Sequence, residues 1–151
     1  MSQEQLQLPL DGEGAPDNEH EDANQQPEEP LNEYGYTEAE WNAPVFDGFG
    51  PTRREVEEWK EKHPKGVYFT PFDGEVYIWR VLEREEYKGF INNRELTTMD
   101  REEEMTVKCV LYPRNLTREK LRTDKAGVPS LLSEMIMDKS GFVAQSAPIK
   151  L

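Results

Sequence analysis

The acidic residues of this chain are unevenly distributed, and their distribution limits which part of it can fold. Residues 1–50 contain 13 acidic side chains and neither Lys nor Arg, because the first basic residue is Arg53. Residues 51–151 hold the other 18 acidic side chains and all 18 basic ones. A segment as polar as the first has too little apolar surface to offset the entropy lost on ordering. The sequence therefore predicts a largely disordered acidic arm over 1–50, a folded domain over 51–142 and a loose tail over 143–151.

The length of the chain after residue 50 and its cysteine content limit the class of protein. About 100 residues suffice for one small domain but not for two. The single cysteine, Cys109, cannot form an intrachain disulfide, which favours a reducing compartment. The N-terminal MSQEQLQLPL lacks the basic and apolar regions of a signal peptide. No apolar run approaches the ~18–20 residues that span a bilayer. These features predict a soluble intracellular protein with no membrane partner.

Local patterns within 51–142 predict an α+β domain. Thr52 and Glu55 have the capping-box spacing of a helix start. The aspartate and glycine at 73–74 stand between the β-rich runs 67–72 and 75–82, which is the signature of a hairpin turn. Further helices are predicted over 83–92, 96–112 and 117–123, with a last one beginning at Pro129. The expected fold is an N-terminal helix, a β-hairpin and three to four helices.

The aromatic segment 34–49 differs from the rest of the arm. Its five aromatic side chains are Tyr34, Tyr36, Trp41, Phe46 and Phe49. Such a segment either packs back on the domain or serves as a docking peptide for a partner, because exposed aromatic rings are unfavourable in water. Trp41, Phe46 and Phe49 are therefore candidate partner-binding residues.

The residue types needed for catalysis are sparse. One cysteine and two distant histidines, His20 and His63, do not make a zinc site. Phosphate-binding, dinucleotide-binding and serine-hydrolase motifs are missing from the sequence. Cys109 lies in an apolar helical stretch and is expected in the core. The sequence thus predicts a protein that is not an enzyme and has no catalytic residue, no metal and no cofactor.

A short motif near the N-terminus suggests a docking peptide. QLQLPL at residues 5–10 resembles the peptide by which many bacterial proteins bind the sliding clamp of DNA polymerase. The resemblance implies that Gln5 anchors a small polar spot and that Leu6, Leu8 and Leu10 fill a hydrophobic pocket. The arm also suits a basic protein surface or imitation of nucleic acid, or it serves only as a solubilising tail. Its charge disfavours direct nucleic-acid binding, since most of that affinity comes from neutralising phosphates.

The folded region carries a broader resemblance. It contains, in order, WKEKH (59–63), YIWRVLEREEYK (77–88), CVLYP (109–113), AGVPSLL (126–132) and SGF (140–142). This order resembles the small tail-assembly chaperones and minor virion proteins of long-tailed bacteriophages, over roughly residues 52–142. The resemblance implies a non-enzymatic role in phage morphogenesis, with other tail or virion proteins as partners. It also implies a location in the host cytoplasm during assembly or in the virion itself.

Partner binding through the domain requires exposed apolar anchors. The candidates are Tyr68, Tyr77, Trp79 and Tyr87, each of which could instead belong to the core. The alternative function is an adaptor or regulator that docks on a replication or transcription protein through its acidic arm.

Overall fold

The computed structural model describes residues 28–72, 74–143 and 146–151. The described residues divide into two units, with the division between Ala39 and Glu40. The clamp-like motif with Gln5, Leu6, Leu8 and Leu10 lies outside the described residues, as does the predicted disorder of residues 1–27. The second unit begins at Glu40, and the predicted boundary between residues 50 and 51 lies within it.

In the first unit, the side chain of Asn32 organises a closed turn. Its Oδ1 accepts hydrogen bonds from the backbone N–H groups of Tyr34, at 2.9 Å, and Tyr36, at 3.0 Å. The Asn32 N–H donates to the carbonyl of Tyr36 at 2.8 Å. An Asx side chain that bonds backbone groups ahead of it stabilises such turns. Part of the segment predicted as disordered therefore has local order.

Helices and antiparallel strands alternate along the chain, so the predicted α+β class is confirmed. The elements are α1 (Glu38–Asn42), β1 (Pro44–Phe46), β2 (Phe49–Thr52), α2 (Arg53–Lys62), β3 (Val67–Phe72), β4 (Glu75–Arg80), α3 (Arg84–Asn92), α4 (Thr98–Cys109), β5 (Val110–Tyr112), α5 (Arg118–Thr123), α6 (Gly127–Met137) and a wider final turn (Asp138–Phe142). None of the helices in the described ranges is long and apolar enough to cross a membrane.

Two local predictions are confirmed by backbone geometry. Thr52 caps α2: its Oγ1 accepts from the Glu55 N–H at 3.2 Å, while Glu55 accepts from the Thr52 N–H at 3.0 Å. The predicted hairpin is the antiparallel pair β3–β4, with Val67 opposite Arg80. Pro71 lies in β3, which is the edge strand of the order β3-β4-β5. A proline fits an edge because it has no N–H to donate.

Two β elements were not predicted from the sequence. Residues 110–112, predicted as the end of a helix, form β5, which pairs with β4 through Val110 and Tyr112. A β-branched and aromatic run just before a proline favours extended backbone over helix. The second element is the hairpin β1–β2, in which Phe46 lies opposite Phe49. Its turn is Asp47-Gly48, with Gly48 at φ +79°. This is the same aspartate–glycine signal as in the hairpin that was predicted.

The core lies between one face of the three-stranded sheet and the helices α4, α5 and α6. Its buried members are Tyr77, Trp79, Leu82, Met105, Cys109, Leu121, Val128, Leu132 and Ile136. Cys109 is fully buried, which confirms its predicted place in the core. Burial raises the pKa of its thiol to about 12, so the thiol stays protonated at neutral pH.

A bidentate ion pair joins the end of β4 to the first turn of α3. Both terminal nitrogens of Arg80 lie 2.8 Å from the carboxylate oxygens of Glu86. Arg80 also donates to the carbonyls of Val81, at 3.0 Å, and Lys108, at 3.2 Å. Glu86 accepts in addition from the Glu83 N–H at 3.0 Å. The pair therefore connects the sheet to the start of α3 and the end of α4.

We predict that Gly74→Val destabilises the domain by about 1–2 kcal/mol, a cost typical of backbone strain. Gly74 has φ +83°, and no described atom lies within 4 Å of where a Cβ would stand, so strain is the expected cause. Gly74→Asn is the matched control, because asparagine tolerates positive φ better than a β-branched residue. Urea unfolding measures the difference. Equal stability of all three proteins would contradict the prediction.

We predict that Glu86→Gln destabilises the domain by about 3 kcal/mol at neutral pH, because it leaves a mostly buried guanidinium without its counter-ion. The bond from Arg80 holds the pKa of Glu86 below its ordinary value of 4.5. This stabilisation is therefore present above about pH 4.5 and is lost as the pH falls through the lowered native pKa.

The measurement is urea unfolding at about pH 7 and at about pH 3, with Glu85→Gln as the control. Glu85 is an exposed neighbour on the same helix. The gap between wild type and Glu86→Gln should narrow in acid, whereas Glu85→Gln should follow wild type. A gap that is independent of pH would contradict the prediction.

Candidate partner-binding surface

Two of the predicted anchors are core residues. Tyr77 and Trp79 on β4 are each 2% exposed. The Tyr77 hydroxyl donates to Glu75 at 3.0 Å, and the Trp79 indole Nε1–H donates to Thr70 Oγ1 at 2.9 Å. Neither ring is accessible to a partner, so their assignment as partner-binding residues is wrong. The central strand of the sheet buries them because side chains from α4, α5 and α6 pack against that face.

Tyr68 and Tyr87 are half-buried, and each packs against another ring. Tyr68 stacks on Trp79, with 4.9 Å between ring centroids. The ring centroid of Tyr87, on α3, lies 4.5 Å from that of Phe142, which follows Gly141 at the end of the final turn. Both tyrosines also pack against the core cluster. They therefore present only part of their surface to a partner.

Phe46, Phe49 and Phe69 form an exposed aromatic cluster, here called the phenylalanine face. The ring centroid of Phe46 lies 5.4 Å from that of Phe49 and 5.7 Å from that of Phe69. Phe49 is 50% exposed and Phe69 is 62% exposed, while Phe46 between them is half-buried. Aromatic rings at these separations attract one another beyond their shared burial. The cluster is therefore an ordered apolar surface rather than three unrelated rings.

Strand alternation determines the position of Phe69. In β3, Tyr68, Thr70 and Phe72 are partly buried, whereas Phe69 and Pro71 are exposed. Successive side chains of a strand lie on opposite faces, so Phe69 must lie on the face opposite the core. Phe69 was not among the predicted anchors. The alternation of 67–72 is the sequence signal that could have identified it.

The backbone of Gly50 allows Phe46 to reach this position. Gly50 has φ +98°, and a Cβ there would stand 2.5 Å from Cδ2 of the Phe46 ring. The ring therefore lies directly over the backbone of the opposite strand. The hairpin is also tied to α2, because the Arg53 N–H donates to the carbonyl of Ala43 at 3.2 Å. A glycine in a strand often marks such a close approach.

The remaining candidates occupy less favourable positions. Trp41, on α1, is half-buried. Of the predicted anchors, the structure therefore brings together Phe46 and Phe49 and adds Phe69. Among the residues that the structure describes, no group of three or more His, Cys, Asp and Glu side chains is placed to hold a metal ion.

Comparison of the chain with protein-family models, with curated protein sequences and with solved structures finds no match in any of the three.

Proposed function

We propose that this chain is a non-enzymatic bacteriophage morphogenesis protein that binds other tail or virion proteins through its phenylalanine face. The resemblance of residues 52–142 to tail-assembly chaperones and minor virion proteins supports the biological context. One structural observation carries the binding role: the ordered aromatic cluster of Phe46, Phe49 and Phe69 on the side of the sheet away from the core.

Leaving this cluster in water has a free-energy cost. At least half of the surface of Phe49 and of Phe69 is exposed, although other aromatic side chains of the chain are buried in the core. Contiguous exposed apolar surface typically marks an interaction site, and aromatic anchors carry a large share of binding free energy. The rings are fixed by a hairpin and an edge strand, so little conformational entropy is lost when they bind. The partner surface expected is an apolar groove or patch on a structural protein.

The alternative, an adaptor that docks through the arm, makes a different prediction. Its clamp-like motif is at residues 5–10, whereas the phenylalanine face is formed by residues 46, 49 and 69. An adaptor should lose its partner when Gln5 and Leu10 are changed. A morphogenesis protein that binds through the phenylalanine face should not.

We predict that Phe49→Thr and Phe69→Thr together abolish the capture of tail or virion proteins from infected-cell lysate, with proteins identified by mass spectrometry. Loss of one aromatic anchor often costs ~2 kcal/mol, which is about 30-fold in affinity. Threonine preserves strand propensity, so the domain should remain folded. Thermal unfolding and circular dichroism verify the fold of each variant.

The control is Met99→Thr, which removes a side chain that is 68% exposed and lies outside the cluster. This variant should capture the same proteins as wild type. Undiminished capture by the folded double variant would overturn the proposal. So would recovery of replication proteins alone with dependence on Gln5 and Leu10.

A further inference from the structure

A pocket of about 350 Å³ lies where the end of β4, the start of α3 and the final turn meet. Its lining includes three basic side chains, Lys65, Arg84 and Lys139, and one acidic side chain, Glu83. The aromatic rings of Tyr87 and Phe142 line it as well. The pocket therefore combines a net positive charge with an apolar wall.

The basic side chains are only partly neutralised. Lys65 pairs with Glu83, with 2.6 Å between Nζ and Oε2. Arg84 instead lies over the ring of Tyr87 at 5.6 Å, and Lys139 lies over the ring of Tyr68 at 5.7 Å. Within the part of the chain that the structure describes, neither has a carboxylate within 4.0 Å. A cation held over an aromatic face keeps its N–H donors available for an anion.

The walls of the pocket are held in place by the fold. Ser140 Oγ accepts from the Leu82 N–H at 2.8 Å and donates to the carbonyl of Ile136 at 2.5 Å. These bonds attach the final turn to the segment that connects β4 to α3. The Tyr87–Phe142 ring contact closes the same junction. The backbone segments that carry Arg84 and Lys139 are therefore held next to each other before any ligand binds, which lowers the entropic cost of binding.

We propose that this pocket binds an acidic segment of a partner protein, with a carboxylate between Arg84 and Lys139 and an apolar side chain against the Tyr87–Phe142 pair. The assignment rests on the proposed function, since it names the chemistry of a protein partner. A carboxylate is favoured over a phosphate dianion because Glu83 lines the same pocket and repels a double charge more strongly.

The shape of the pocket also favours a peptide over a small molecule. Glu83, Arg84, Lys139 and Phe142 are all exposed, so the walls are open to solvent. A small-molecule site usually encloses most of its ligand, whereas a peptide needs only a pocket for each anchoring side chain. The pairing of Lys65 with Glu83 shows that a carboxylate fits the rim.

The test is a heteronuclear NMR titration of the full chain with three probes. These are an acetylated, amidated Glu-Phe-Glu-Phe peptide, its Gln-Phe-Gln-Phe counterpart and inorganic phosphate. We expect saturable amide shifts at residues 81–87 and 139–142 with the acidic peptide only. The shifts should weaken with added salt, since exposed charges are screened.

The variants are Arg84→Gln and Lys139→Gln, with Lys88→Gln as the matched control. Lys88 is an exposed lysine on α3 that does not line the pocket. Each pocket variant should weaken the acidic peptide by about tenfold or more, as expected for the loss of a charge-assisted hydrogen bond. Lys88→Gln should bind as wild type does.

Three outcomes would overturn the inference: equal shifts with the neutral peptide, the absence of saturable shifts in this region, or tighter binding of inorganic phosphate at the same residues.

The capture experiment separates this inference from the proposed function. If Arg84→Gln and Lys139→Gln capture virion proteins as wild type does while the Phe49 and Phe69 variant does not, the pocket assignment fails and the proposed function stands. If the acidic peptide binds but the wild-type protein captures no virion protein, the proposed function fails and the pocket's preference for a carboxylate stands.

Discussion

The bidentate bond between Arg80 and Glu86 is the interaction on which the arrangement of the domain depends. Arg80 ends the central strand, Glu86 lies in the first turn of α3, and the Lys108 carbonyl that also accepts from Arg80 lies near the end of α4. One planar guanidinium thus fixes three elements relative to one another, because its donors have a rigid geometry. The segment between Arg80 and α3 contributes Leu82 to the core. It also lines the pocket that contains Lys65, Arg84 and Lys139, here called the basic pocket.

The three-stranded sheet assigns opposite roles to its two faces. Tyr77 and Trp79 point into the core, while Phe69 on the neighbouring strand lies outside it beside the hairpin β1–β2. Aromatic content alone therefore does not identify an interaction surface, since aromatic side chains stabilise the core on one face of the sheet and remain exposed on the other. The basic pocket is a third environment, in which Tyr87 lies beneath the guanidinium of Arg84 and, with Phe142, forms an apolar wall.

Features that depend on a few neighbouring residues could be predicted from the sequence, and features that depend on pairing between distant segments could not. The Thr52–Glu55 capping box and the strand pair around Gly74 follow from local chemistry, so the α+β class was predictable. The strand at residues 110–112 was not, because its pairing with β4 outweighs its continuity with the preceding helix. The burial of Tyr77 and Trp79 depends on which face the helices cover. Arg84 and Lys139 are 55 residues apart in sequence, so only the fold brings them to one pocket.

The stack of Lys139, Tyr68 and Trp79 has a practical consequence. The ammonium lies over one face of the Tyr68 ring, and that ring stacks on the buried indole at 4.9 Å. The indole itself is held in one orientation by its bond to Thr70. A change in the position of Lys139 therefore alters the electrostatic field at a fixed chromophore. Once Trp41 and Trp59 are replaced by phenylalanine, the emission of Trp79 would report from inside the core on events at a charged side chain on the surface.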